Sequence, residues 1–141
     1  MKLNIENGTL RIGGSIIAFK KMRRIDLISQ NQKWEEWIKH EDEVMAYKIK
    51  IKDKELRKNN LIIICYFFEN DGVIKFWDFG PENCMNGFQS KPEGKYTKKM
   101  RLWFLNKFNM ALPQKLAWGE IDAFYDPHNL TTSVICTYNQ S

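Results

Sequence analysis

Residues 61–68 read Leu-Ile-Ile-Ile-Cys-Tyr-Phe-Phe, eight apolar or aromatic residues in a row. Three of them are β-branched, three are aromatic and one is Cys, which suits a pleated strand and disfavours a helix. The run is too short for a membrane span. Asn59-Asn60 precedes it and Asn70-Asp71-Gly72 follows it, so both ends carry turn chemistry. Residues 73–79 then supply a partner strand, giving a hairpin. A strand apolar on both faces predicts an interior position with cover on both sides. Any fold for this chain has to be built around such a strand.

Further strands follow from alternation and turn residues. Near the start, Leu3 and Ile5 alternate with polar residues. Asn7-Gly8 and Gly13-Gly14 are two-residue turn signals, with Leu10 and Ile12 between them and residues 15–19 beyond. That reads as a three-stranded meander. In residues 44–52, Met45, Tyr47, Ile49 and Ile51 share one face while Lys48, Lys50 and Lys52 share the other. Residues 116–125 and 132–138 read as a last hairpin, joined by Asp126-Pro127-His128-Asn129. Gly119 inside the first of these strands marks a bulge or a close backbone approach.

Helical signals are fewer. Ile25, Leu27 and Ile28 are spaced for one helical face after the basic run 20–24. Trp34, Trp37 and Ile38, at i, i+3 and i+4, favour a short helix or a packed turn within 30–43. Residues 95–110 form the main amphipathic helix. Tyr96, Met100, Trp103, Phe104 and Phe108 make its apolar stripe, and Lys95, Lys98, Lys99 and Arg101 its outer side. Ser90 with Glu93 matches a capping box for it, and Pro113 prevents its continuation. Before it, residues 80–94 read as a long polar loop, a length at which loops tend to carry function. The expected architecture is a single α+β domain over residues 1–141. It has one antiparallel sheet, made of the N-terminal meander, central hairpin and C-terminal hairpin, with one main helix packed on it.

At 141 residues and 16.8 kDa the chain can bury a full core without staples. With 28% charged and 13% aromatic residues it is globular in composition. No stretch has the length of a membrane helix, and the first residues lack the apolar core of a signal peptide, so a cytoplasmic location is expected. The three cysteines show no paired spacing; Cys65 and Cys136 fall inside apolar strands and read as reduced and buried, while Cys84 lies in the loop.

The residues that commonly carry chemistry are sparse. The two histidines, His40 and His128, have no second ligand at metal-binding spacing. There is no nucleophile elbow, and Gly13-Gly14 lacks the lysine and helix of a phosphate loop. Glu120 and Asp122 share a strand face near Asp126, a carboxylate set whose plain reading is a solvated face. The chain carries a net charge of +5, and its basic segments 20–24, 48–52 and 95–101 leave open a small nucleic-acid-binding module. Against that basic average, Glu35, Glu36, Glu41, Asp42 and Glu43 form an acidic cluster beside Trp34 and Trp37, a combination common at protein interfaces.

The order of parts, ending in Trp118-Gly119-Glu120-Ile121-Asp122-Ala123-Phe124-Tyr125-Asp126-Pro127 and a final strand, resembles small bacterial immunity proteins encoded beside polymorphic toxins. These include those of contact-dependent growth inhibition systems. The likeness rests on a Trp-Gly-x-Ile-x-x-x-Tyr-Asp-Pro motif and is best over residues 61–138, with the N-terminal third similar in architecture. It implies a cytoplasmic, non-enzymatic protein that binds one cognate toxin domain and blocks it by occlusion. It implies no cofactor. Glu35, Glu36, Trp37, Glu41, Asp42 and Glu43 are then the expected partner-binding residues.

Overall fold

The computed structural model describes residues 1–52, 60–82, 93–126 and 131–140. The apolar run lies in β6 (Asn60–Phe67), which pairs with β7 (Ile74–Pro81) through a turn in which Asn70 and Gly72 take φ of 74° and 65°. These two strands lie in the middle of a seven-stranded antiparallel sheet. With β4 (Glu35–His40), β5 (Glu43–Lys52), β8 (Gln114–Leu116), β9 (Gly119–Asp126) and β10 (Thr131–Tyr138), its order is β4-β5-β6-β7-β10-β9-β8. The meander, β1 (Lys2–Leu3), β2 (Leu10–Ile12) and β3 (Ser15–Ala18), forms a separate three-stranded sheet instead of extending the large one.

One face of the large sheet is the core. From β6 and β7 it takes Leu61, Ile63, Cys65, Phe67, Trp77 and Phe79, all buried. The main helix, α2 (Glu93–Phe108), lies on this face, with Tyr96, Met100 and Phe104 buried and Phe79 in ring contact with Trp103, Phe104 and Phe108. Asn109, in the left-handed region at φ 55°, ends the helix, its N–H donating to the Leu105 carbonyl. Beside α2 the same face is covered by the meander and by the single-turn helix α1 (Arg24–Ile28), through Leu10, Ile17, Met22 and Leu27. Polar anchors fix the meander in place. Trp77 Nε1 donates to Tyr138 Oη at 2.8 Å, Tyr138 Oη donates to the Gly8 carbonyl at 2.7 Å, and Trp118 Nε1 donates to the Ile5 carbonyl.

Several local expectations are corrected. Gly13 and Gly14, at φ 56° and 88°, do close the two-residue turn between Ile12 and Ser15. Asn7-Gly8 does not: Leu3 pairs with Leu10, leaving a six-residue connection. Gly8 is needed there because its φ is 75° and a Cβ would meet the Trp118 ring at 2.5 Å. In α1 only Leu27 is buried, because one turn turns only part of its circumference inward; Ile25 and Ile28 are exposed. The helix or packed turn expected around Trp37 is the edge strand β4, where pairing with β5 outweighs a weak local helical pattern.

That pairing skips Trp37 on β4 and Met45 on β5. The irregularity at Met45 shifts the alternation, so Val44 and Ala46 are buried while Met45 is not. Tyr47 and Ile49 do face the core as expected. The strand expected over 116–125 divides at Ala117-Trp118, a tight turn between β8 and β9. At Gly119 the close-approach reading holds: a Cβ there would collide with the Thr137 carbonyl oxygen. Cys65 and Cys136 are free and buried. The Ser90/Glu93 capping box, Cys84, His128 and most of the 80–94 loop lie outside the described side chains.

Candidate functional site

The second face of the large sheet is the surprise in β6. Ile62, Ile64 and Tyr66 point away from α2 and are only partly buried, so the strand is apolar on both faces but fully covered on one. Together with Phe76, Phe124 and Ile135 they floor an open groove of about 610 Å³ that runs across the sheet from β5 to β9. Trp37, on the β4 edge, forms one wall and is 49% exposed. Lys48 Nζ sits 3.8 Å above the Trp37 ring centre, a cation–π contact at the groove's mouth. Tyr66 and Phe76 stack across the β6–β7 pair at 4.3 Å between centroids.

Polar groups interrupt this floor: Asp126, Thr131 and Ser133 also line the groove, and Asp78 lies among its apolar residues. Asp78 sits on the central strand β7, opposite Ile64 on one side and Ile135 on the other. The Tyr66 hydroxyl donates to it. Burial among apolar neighbours pushes its pKa up to about 7; the Tyr66 hydrogen bond opposes the shift and the nearby Asp126 charge adds to it. Burial, followed by the Asp78 charge, likewise pushes the Tyr66 hydroxyl up. At the rim Glu82 is bound by Lys50 at 3.0 Å and by the Asn60 amide at 2.9 Å, and its pKa is lowered, chiefly by those hydrogen bonds.

The acidic cluster lies beside this groove, not in it. All six residues of β4 are exposed, including Glu35, Glu36 and Trp37. Glu36 pairs across from Tyr47, a core-face residue, whereas Trp37 lines the groove, so the two sit on opposite sides of the edge strand. Glu41, at φ 59°, and Asp42 form the exposed turn between β4 and β5. Glu43 is engaged by the Arg24 guanidinium at 2.9 Å. Trp34, the other cluster aromatic, packs on the core and donates to Gln30 Oε1.

The other sequence candidates separate. Asp122 accepts two hydrogen bonds from Arg101, at 3.0 Å each, so it is occupied by an ion pair to α2. Glu120 stays exposed. The basic segments do not merge: Lys48 and Lys50 lie on the groove side and already have Trp37 and Glu82 as partners, while 95–101 belongs to the helix on the opposite face. Among the described residues no group of His, Cys, Asp or Glu side chains could hold a metal ion, and no helix is long and apolar enough to cross a membrane.

A family model described as RhsI1 immunity protein matches residues 1–141. The chain belongs to this immunity protein family. Among solved structures, one described as "Rhs1-CT in complex with cognate immunity protein RhsI1" contains a chain that is 38% identical, with a TM-score of 0.81, over 99% of this chain and 87% of that one. No curated protein matches. The RhsI1 family therefore carries the immunity-protein resemblance read from residues 61–138, and carries it over the N-terminal third as well. The system named is Rhs, not the contact-dependent growth inhibition branch that the resemblance also included.

What sequence reasoning missed was the groove. Its signal was present in two places. The second apolar face of 61–68 predicts cover that the structure does not supply in full, and Asp78 is a carboxylate inside the largely apolar strand 73–79.

Proposed function

We propose that this chain acts as one cytoplasmic domain that binds the C-terminal toxin domain of its cognate Rhs protein and blocks it by occlusion, without catalysis or a cofactor. The observation that carries the reading is the family match over residues 1–141, joined by the 38% identity to a chain from a toxin–immunity complex. The surface supports it. A sheet face with apolar residues left partly open, rimmed by charge, is what a protein partner covers. The non-enzymatic reading is consistent with the engagement of Asp122 by Arg101.

We place the acidic edge in the contact: Glu35, Glu36, Trp37, Glu41, Asp42 and Glu43. Trp37 is the natural anchor, a large aromatic held out at 49% exposure on a strand whose outer side is unpaired among the described residues. The acidic residues around it steer a basic partner and set its register. In calorimetry with an inactivated toxin domain, reversing Glu35 and Glu36 together to Lys weakens binding by about tenfold or more. Unchanged affinity removes this edge from the interface. A toxin domain that neither binds the wild-type chain nor is silenced by its co-expression removes the reading altogether.

A further inference from the structure

The groove contains a charge without its complement. Asp78 is held on the central strand by ladders on both sides, which fixes its partly buried side chain at the floor of the groove. Its neighbours are Ile64, Tyr66, Phe76 and Ile135, and the groove in front of it is open. Burying a carboxylate costs free energy unless a cation or several donors satisfy it. The Tyr66 hydroxyl satisfies one lone pair. No cation among the described residues does the rest. Lys48 is parked over Trp37 and acts on Glu82, Lys50 is bound to Glu82, and Lys75, also on β7, lies over Phe68. The remaining acid facing Asp78 is Asp126, which deepens the negative potential.

We infer that Asp78 receives a basic side chain, arginine or lysine, which the toxin domain inserts into the groove between the aromatic rings of Tyr66, Phe76 and Phe124. The inference rests on the toxin-binding reading above and names the chemistry of the contact. The complementarity is specific in kind. The apolar walls accept the methylene stem, the ring faces accept a planar guanidinium or an ammonium, and the carboxylate at the floor takes the charge. A cation delivered here neutralises a charge that the free protein holds poorly, so the gain is made only in the complex.

Protonation gives this contact a signature that a structural role for Asp78 would not share. Because burial holds the free carboxyl at about 7, it is partly protonated near neutrality and must lose its proton to pair with a cation. Affinity therefore rises with pH below 7, approaching about tenfold per pH unit, and levels off above it. Tyr66 stays protonated throughout, its hydroxyl being raised, and Glu82, held low, stays ionised.

The test is calorimetry of the full chain against an inactivated cognate toxin domain from pH 5.5 to 8.5. The proteins compared are the wild type, Asp78→Asn and Phe124→Ala. Asp78→Asn keeps shape and the Tyr66 contact; at pH 8 it is expected to bind about thirtyfold or more weakly and to lose the pH slope. Phe124→Ala, at a side chain already 52% exposed, leaves the fold intact and is expected to bind about tenfold more weakly while keeping the slope. Should Asp78→Asn fail to fold, the wild-type slope and Phe124→Ala decide. A wild type with no slope, or variants that bind as the wild type does, overturn the inference and leave toxin binding standing. A wild type that binds no toxin at any pH overturns both.

Discussion

Single residues carry more of this fold than their size suggests. At Gly119 the backbone of β9 lies against the Thr137 carbonyl of β10, and any side chain has to push two paired strands apart. Gly119→Ala is expected to lower stability by about 3 kcal/mol or more in urea unfolding, the range for strain that cannot relax. Tyr138 is the opposite case, a hydroxyl whose loss leaves space but breaks a chain of partners. It accepts from Trp77 and donates to the Gly8 carbonyl, both in the interior. Tyr138→Phe leaves a buried N–H and a carbonyl without a partner, and is expected to cost about 2 kcal/mol, with the meander losing protection in hydrogen exchange before the large sheet does. The close approach at Gly119 was legible in the sequence, since a glycine inside a strand pattern is informative. The Tyr138 bridge was not, because it joins residues 130 apart in the chain.

At the scale of elements, α2 is tied to the sheet by its apolar stripe and only lightly by charge. The Arg101–Asp122 pair is bidentate but more than a third exposed on both sides, where water and salt screen it. Asp122→Asn is expected to cost at most ~1 kcal/mol in thermal or urea unfolding and to leave toxin neutralisation unchanged; a large loss of neutralisation would revive a role for the 120–126 carboxylates. β4 shows why the edge was harder to read than the helix. The stripe of α2 is five apolar residues at helical spacing, a pattern few other arrangements satisfy. Trp34, Trp37 and Ile38 have the same spacing, yet Trp34 packs on the core while Trp37 and Ile38 stand exposed on a strand. A three-residue pattern carries too little free energy to resist pairing with β5, and the skipped residues at Trp37 and Met45 hide the strand's period of two.

For the whole molecule, the groove links stability to pH. The folded state holds Asp78 at about 7 against 3.8 for the unconstrained group, so folding takes up a proton between these values. Its favourable contribution is present in full below about 4 and is lost as pH rises through 7. Stability measured by urea titration is therefore expected to fall from pH 5 to pH 8, by on the order of 2–4 kcal/mol from this group, and Asp78→Asn is expected to flatten the profile. The pH range that weakens the free protein is the one in which its carboxylate is ready for a cation.

The sequence by itself determined the parts: the apolar strand, its hairpin partner, the amphipathic helix, the terminal hairpin and the immunity-protein likeness in their C-terminal half. These are local, because a strand's alternation, a helix's stripe and a turn's glycine act within a few residues. Tertiary structure alone decided how the parts share their faces. The helix, the meander and α1 all went to one side of the large sheet, since the polar bridges through Tyr138 and Trp118 and the packing of Leu10, Ile17 and Met22 bind them there. Among the described residues no element covers the other side, and Asp78 lies in its floor. Periodicity states that a strand has two apolar faces; which face is covered depends on elements far along the chain, and that choice made the groove.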